Sequence, residues 1–402
     1  MNAPTIVSLE KAPDYDPGRI LAAMRACLEP WGGMSAFVKS GQRVLLKPNL
    51  LGGFPPSRAV TTHPAVVDAA IRLVQEAGGR PMIGDNPAMG SLHGAVRASG
   101  LAPVIEATGC QLVEAQAACD YEVPGHRIIR RITLTKAMLE ADVIISLPKL
   151  KTHVMMTMTG ALKNQYGLIP GALKSQWHFR LQYPDYLASL ILDINRIARP
   201  ALGIMDAVVS MEGQGPSSGK PRSVGALLAS PDLAALDTAA CHLIGLDPMR
   251  VPLLAAARVQ SYGETFIEKI HIAGEDWRKM RVPDFENVAD QLDLLRLVPL
   301  PKPVRRWVRR QWTARPQIID GRCTRCGICE KGCPVPTAAI HPETENLPKV
   351  DEARCIRCYC CHEFCPAQAI TLEQSWVGRH VPLNAIADRL GGWLGFLLAR
   401  KR

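Results

Sequence analysis

The chain has 402 residues, 47% hydrophobic and 21% charged, and its 47 Lys and Arg outnumber its 37 Asp and Glu for a formal charge of +10. That length exceeds one small domain and suits a large domain with a smaller one, and the composition is that of an ordinary soluble protein able to bury a sizeable core. Residues 1–14 lack a basic start followed by an apolar run, so no signal peptide is expected; no stretch approaches the ~18 unbroken apolar residues of a membrane-spanning helix.

Residues 1–298 read as one α/β domain, in which short runs rich in Val, Ile and Leu alternate with helical patterns. Strands are predicted over 5–9, 43–47, 81–85, 127–134, 143–147, 202–206 and 224–229. Helices are predicted over 64–77, 186–198 and 233–243, with Pro64 in a first turn capped by Thr62 or His63, and Asp232 as a cap of the last. The alternation predicts a mainly parallel sheet covered on both faces, without fixing the strand order.

Open α/β sheets present their sites at the carboxyl ends of strands. The first such end carries Lys47 and Asn49. A second carries Lys149, Lys151 and His153 and leads to Lys163 and Asn164. A third ends at Asp206 and runs to Glu212 and Gly213. Ammonium groups beside carboxylates suit an anionic substrate whose protons must move. Lys149, Lys151, His153, Lys163 and Asn164 are therefore the catalytic candidates, and Lys47, Asn49, Asp206, Glu212 and Gly213 the substrate-binding ones. The plainer alternative is that these are solvated charges and caps. His153, Asp206 and Glu212 make a metal site only if they converge, and Asp237 stays open between cap and site. The glycines of 213–220 fail as a phosphate loop, because Gly213 and Gly219 enclose five residues and Pro221 stands where Ser or Thr should hold magnesium.

Five stretches, Leu46-Lys-Pro-Asn49, Pro148-Lys-Leu-Lys-Thr-His153, Gly160-Ala-Leu-Lys-Asn164, Met211-Glu-Gly-Gln-Gly-Pro216 and Ser230-Pro-Asp-Leu-Ala-Ala-Leu-Asp237, resemble domain-of-unknown-function family 362. The resemblance spans roughly residues 40–250. It implies the α/β architecture, often with a ferredoxin module behind it, and supplies no reaction.

Residues 299–317 change character: Pro299, Pro301 and Pro303 precede a basic, aromatic run with Arg305, Arg306, Trp307, Arg309, Arg310 and Trp312, read as a linker. Thirteen cysteines without an export signal argue for a reducing, cytoplasmic location and metal ligation. Cys27, Cys110, Cys119 and Cys241 are scattered, whereas nine fall between Cys323 and Cys365.

Cys323, Cys326, Cys329 and Cys333, followed by Pro334, spell C-x-x-C-x-x-C-x-x-x-C; Cys355, Cys358, Cys361 and Cys365, followed by Pro366, repeat it. Three closely spaced thiolates wrap one cubane from a tight loop, and the fourth turns to the other. One [4Fe–4S] cluster is thus expected on Cys323, Cys326, Cys329 and Cys365, and a second on Cys355, Cys358, Cys361 and Cys333. Zinc modules, the alternative, pair two C-x-x-C knuckles and have no use for three consecutive ligands plus Cys-Pro. Residues 318–374 resemble the two-cluster bacterial ferredoxins, a small α+β module; Cys360 is a surplus buried filler. Two four-thiolate cubanes lower the charge by roughly 4, to about +6.

Residues 375–402 carry Leu383, Ile386, Leu390, Trp393, Leu394 and Leu397 at helical spacing before a basic end, an amphipathic tail that suits peripheral membrane contact or docking on the protein itself. The combined expectation is an electron-transferring oxidoreductase or reductase component with a redox partner protein and a small anionic substrate. No nucleic acid is expected, for want of a binding fold. The competing expectation is a non-catalytic electron carrier or assembly factor whose α/β domain binds a partner.

Overall fold

The computed structural model describes residues 4–114, 117–123, 129–288, 304, 310–341 and 347–380. The chain forms two units, Met1–Val288 and Ala289–Arg402, so the first closes ten residues before the boundary drawn from the sequence. Most of the 299–317 linker and the tail from residue 381 lie outside the described residues.

The first unit is built on a ten-stranded mixed sheet, mostly parallel. Its strands are β1 (Thr5–Lys11), β2 (Arg43–Pro48), β3 (Arg80–Ile83), β4 (Gln111–Leu112), β7 (Val143–Leu147), β8 (Lys149–His153), β9 (Thr157–Thr159), β10 (Leu202–Glu212), β11 (Lys220–Ser230) and β12 (Ile270–Gly274). The order is β12-β1-β11-β10-β7-β2-β3-β4, with β8 beside β10 and β9 beside β8. β5 (Ala118–Glu122) and β6 (Arg131–Thr135) pair only with each other, so the strand predicted over 127–134 belongs to a separate ribbon. The antiparallel β1–β11 and β10–β11 pairs arise because β10 and β11 form one long hairpin, each strand running well past its predicted span.

Side-chain alternation along β10 separates the two faces. Leu202 and Ile204 enter a core shared with the helices Pro17–Leu28 and Pro64–Glu76. Gly203, between them, faces the helix Leu233–Leu243 so closely that a methyl group there would stand 2.6 Å from Leu233 and 2.8 Å from Leu236. His63 caps the helix Pro64–Glu76 through Nδ1, and Asp232 caps Leu233–Leu243 by accepting from Ala234 and Ala235 N–H.

The second unit holds two small antiparallel ribbons, β13 (Arg315–Ile318) with β16 (Ile370–Glu373), and β14 (Ile340–His341) with β15 (Lys349–Val350). They are one arrangement used twice. Ile318 pairs with Ile370 as Val350 pairs with Ile340. Ile319 N–H donates to Ala369 C=O as Asp351 N–H donates to Ala339 C=O, both at 2.7 Å. The short helices Ile328–Lys331 and Cys360–Phe364 follow the same scheme. Among the described residues no helix is long and apolar enough to cross a membrane.

Candidate functional site

The predicted strand ends of the first unit meet in a buried polar layer. Lys47, at the end of β2, is wholly buried and donates to Asp85 Oδ1 at 2.8 Å. Asp85 follows β3, the parallel neighbour of β2, and its other oxygen accepts Leu50 N–H at 2.7 Å. Asn164 joins β2 to β7, donating to Lys47 C=O (2.9 Å) and Ser146 Oγ (3.0 Å). Asn49 donates to Asn164 Oδ1 at 3.4 Å and accepts from Lys151 Nζ at 3.0 Å, while Lys151 also donates to Val60 C=O. Four predicted site residues, Lys47, Asn49, Lys151 and Asn164, therefore share one hydrogen-bonded network.

Lys149 and Asp206 form the second group, facing each other in the β8–β10 register and bonded at 2.8 Å. Tyr15 accepts from Lys149 at 2.7 Å and donates to Asp206 Oδ1 at 2.9 Å; its ring stacks on that of His63, whose backbone N–H donates to Asp206 Oδ2. Burial lowers the pKa of Lys47 and of Lys149, and the neighbouring carboxylate opposes the shift in each case. Burial likewise lowers His63 to about 4, so its ring is neutral at pH 7.

The remaining candidates have partners of their own. His153 Nδ1 accepts from Met155 and Met156 N–H. Lys163 lies over the Tyr166 ring at 5.6 Å. Glu212 accepts Glu286 N–H at 3.0 Å and lies 4.0 Å from Arg222, and Gly213 N–H donates to Glu286 C=O. With Asp206 on Lys149 and Glu212 on the 286 segment, the His153–Asp206–Glu212 metal triad does not form. Among the described residues no three His, Cys, Asp or Glu side chains gather as a site for a single ion.

Asp237, left open by the sequence, is buried and accepts Ala161 N–H (2.6 Å) and Leu162 N–H (3.0 Å), fixing the turn that carries Lys163 and Asn164. Gly160 is required there, since a methyl group would lie 2.1 Å from Asp237 Oδ1. Asp85 escaped the sequence reading although it ends a predicted strand beside that of Lys47. Tyr15 left no signal, for it reaches Asp206 from 191 residues away.

In the second unit the cysteines line two cavities. Cys323, Cys326, Cys329 and Cys365 line one; Cys333, Cys355, Cys358 and Cys361 line the other. Each cavity has a volume of about 20 Å³. Each crossing cysteine accepts a backbone N–H on sulfur: Ala339 to Cys333 at 3.3 Å and Ala369 to Cys365 at 3.2 Å. Cys360 is 1% exposed, in keeping with a filler.

A family model described as a domain of unknown function, DUF362, matches residues 44–242. A thylakoid-associated protein of Synechocystis sp. is 42% identical over 254 residues, 62% of this chain and 78% of the relative. Among solved structures, the lactate racemase apoprotein from Thermoanaerobacterium thermosaccharolyticum aligns with a TM-score of 0.38 and 14% identity, over 59% of this chain and 58% of that one. A Thermotoga maritima protein aligns with a TM-score of 0.32 and 13% identity, over 53% of this chain and 55% of that one. The chain spans less than two thirds of either solved chain.

Proposed function

The chain belongs to domain-of-unknown-function family 362, and because that membership names no reaction, we propose its function from the residues of its two sites: an iron–sulfur oxidoreductase or reductase component with two [4Fe–4S] clusters. One observation carries the proposal. Eight cysteines from two sequence repeats line two cavities of like size in fours, each fourth thiol crossing over from the other repeat. Cys323, Cys326, Cys329 and Cys365 would hold one cluster, and Cys355, Cys358, Cys361 and Cys333 the other. When bound, such clusters take up and release single electrons. The Ala339 and Ala369 amides fix the two crossing sulfurs by donating a hydrogen bond to each. Thiols spread around a cavity suit a four-iron group better than a structural zinc, whose ligands converge on one ion.

In the α/β unit, Lys47, Lys149 and Lys151 with Asn49 and Asn164 supply fixed donors for an anionic substrate, and Asp206 a carboxylate within proton-transfer range of Tyr15 and Lys149. The burial of those lysines, each at most 1% exposed and bonded within the protein, favours a second reading: a carrier whose α/β unit binds a redox partner protein. Anaerobic purification should give about eight iron and eight sulfide per chain, and zinc in their stead would remove the redox reading. Loss of turnover with a panel of electron acceptors in Lys149→Gln, the cluster spectrum unchanged, separates enzyme from carrier; undiminished electron delivery to a partner supports the carrier.

We also propose a cytoplasmic location with peripheral membrane contact through the tail beyond residue 374, to which the relative's thylakoid association lends support. Co-sedimentation with anionic vesicles should be lost on truncation there; binding that survives truncation would rule the tail out.

A further inference from the structure

The two cysteine loops share a backbone and differ in what covers them. The second residue after the leading cysteine is left-handed in both, Arg325 at φ +56° and Arg357 at φ +58°. So is the residue after the second cysteine, Gly327 at φ +71° and Tyr359 at φ +64°. Glycine takes that conformation freely, whereas tyrosine takes it under strain. The Tyr359 side chain is offset by burial: the residue is 2% exposed, and its hydroxyl donates to Ala314 C=O at 3.0 Å. Arg357 closes the same loop, donating to Thr313 C=O at 2.6 Å and Glu352 at 2.7 Å, with its side chain 9% exposed.

Among the described residues the first loop has no such lid. No described residue lies within 4 Å of where a Gly327 side chain would begin, and Thr324, Arg325 and Cys326 are all exposed. Cys358, the counterpart of Cys326, is only partly exposed. Tunnelling falls off exponentially with distance, so a partner that cannot enter the protein exchanges electrons with whichever centre lies nearer the surface.

We infer that the cavity of Cys323, Cys326, Cys329 and Cys365 is the port for electron exchange with outside partners, and that Tyr359 and Arg357 insulate its twin. The inference rests on the cluster binding proposed above. In the anaerobic holoprotein, Cys326→Ser and Cys358→Ser each alter the electron paramagnetic resonance signal of one cluster and so identify it. A soluble dysprosium chelate is expected to speed spin relaxation several-fold more for the signal marked by Cys326→Ser. Tyr359→Gly is expected to reduce that difference. Equal enhancement, or the reverse order, overturns the port assignment. Absence of iron and sulfide would instead overturn the cluster reading, and a metal count on the same samples tells the two failures apart.

Charge gives a second measurement that needs no ligand variant. Reoxidation passes one electron from a reduced centre to ferricyanide, an anion, or to hexaammineruthenium(III), a cation. Arg325→Glu should slow the first and speed the second several-fold at low ionic strength. Arg354→Glu, the same charge change beside the second loop, should do so less. An equal or larger effect from Arg354→Glu overturns the assignment.

Discussion

Asp237 holds a carboxyl group where water does not reach, and burial raises its pKa from an ordinary 3.8 to about 7 against the opposing pull of the Ala161 and Leu162 amides. The folded chain therefore binds a proton that the unfolded chain has released between those two values. By linkage, folding stability from this residue declines as pH rises from 3.8 to about 7, and is level above that. Asp237→Asn removes the titration and leaves an oxygen to accept one amide. Denaturant midpoints measured at intervals from pH 4 to 8 should fall less steeply in the variant, and parallel curves would remove the assigned shift. Lys47 and Lys149 illustrate a different limit. Sequence marked them as site residues, yet it could not tell that each would find its own carboxylate, because Asp85 and Asp206 lie 38 and 57 residues away. Within each of these buried ion pairs, removing one member leaves the other uncompensated at a cost of about 3–5 kcal/mol.

At the scale of elements, strand positions were legible and strand boundaries less so. β2 and β7 fall where runs of Val, Ile and Leu lie between turn residues. β8 did not, because Lys149-Leu-Lys-Thr-His153 reads as a polar exit from β7. It is instead a second strand, every residue buried, as the ammonium groups of Lys149 and Lys151 have partners inside the fold. Burial without apolar character leaves no period to detect. The hairpin of β10 and β11 was half legible, its distal part carrying the charged residues Glu212, Lys220 and Arg222 that look like loop. Gly167 matters at the same scale. A methyl group there would lie 2.0 Å from Asp85 Oδ1 and 2.4 Å from Lys47 Nζ. The segment Gln165–Leu168 thus closes over the ion pair only because it presents a bare backbone. Gly167→Ala should force the pair apart and lower stability by about 1–3 kcal/mol, the usual range for overpacking, read as a shift in urea midpoint. An unchanged midpoint would mean that the segment moves aside without cost.

Across the whole molecule the two units differ in what their cores are made of. The first has a sheet covered by helices and a core of aliphatic side chains such as Val44, Leu46, Ile71 and Ile204. The core cluster of the second consists of Ile340, Cys365, Ala369 and Ile370, with Cys323, Cys329, Cys333 and Cys361 packed against it. Thiols thus occupy positions that a larger domain fills with leucine. Among the described residues of the second unit that cluster is small, so a bound metal group would add a brace against chain entropy. With the proposed clusters bound in the second unit alone, the units should respond separately to loss of iron. Oxidation followed by a strong chelator, with amide hydrogen exchange read by mass spectrometry, is expected to abolish protection over 315–318, 340–341 and 370–373. Protection across β2, β7 and β10 should persist, since nothing in that core is a proposed ligand. Undiminished protection in the ribbons after the iron is gone would mean that the clusters brace nothing there, and the few aliphatic contacts of the second unit would have to suffice alone.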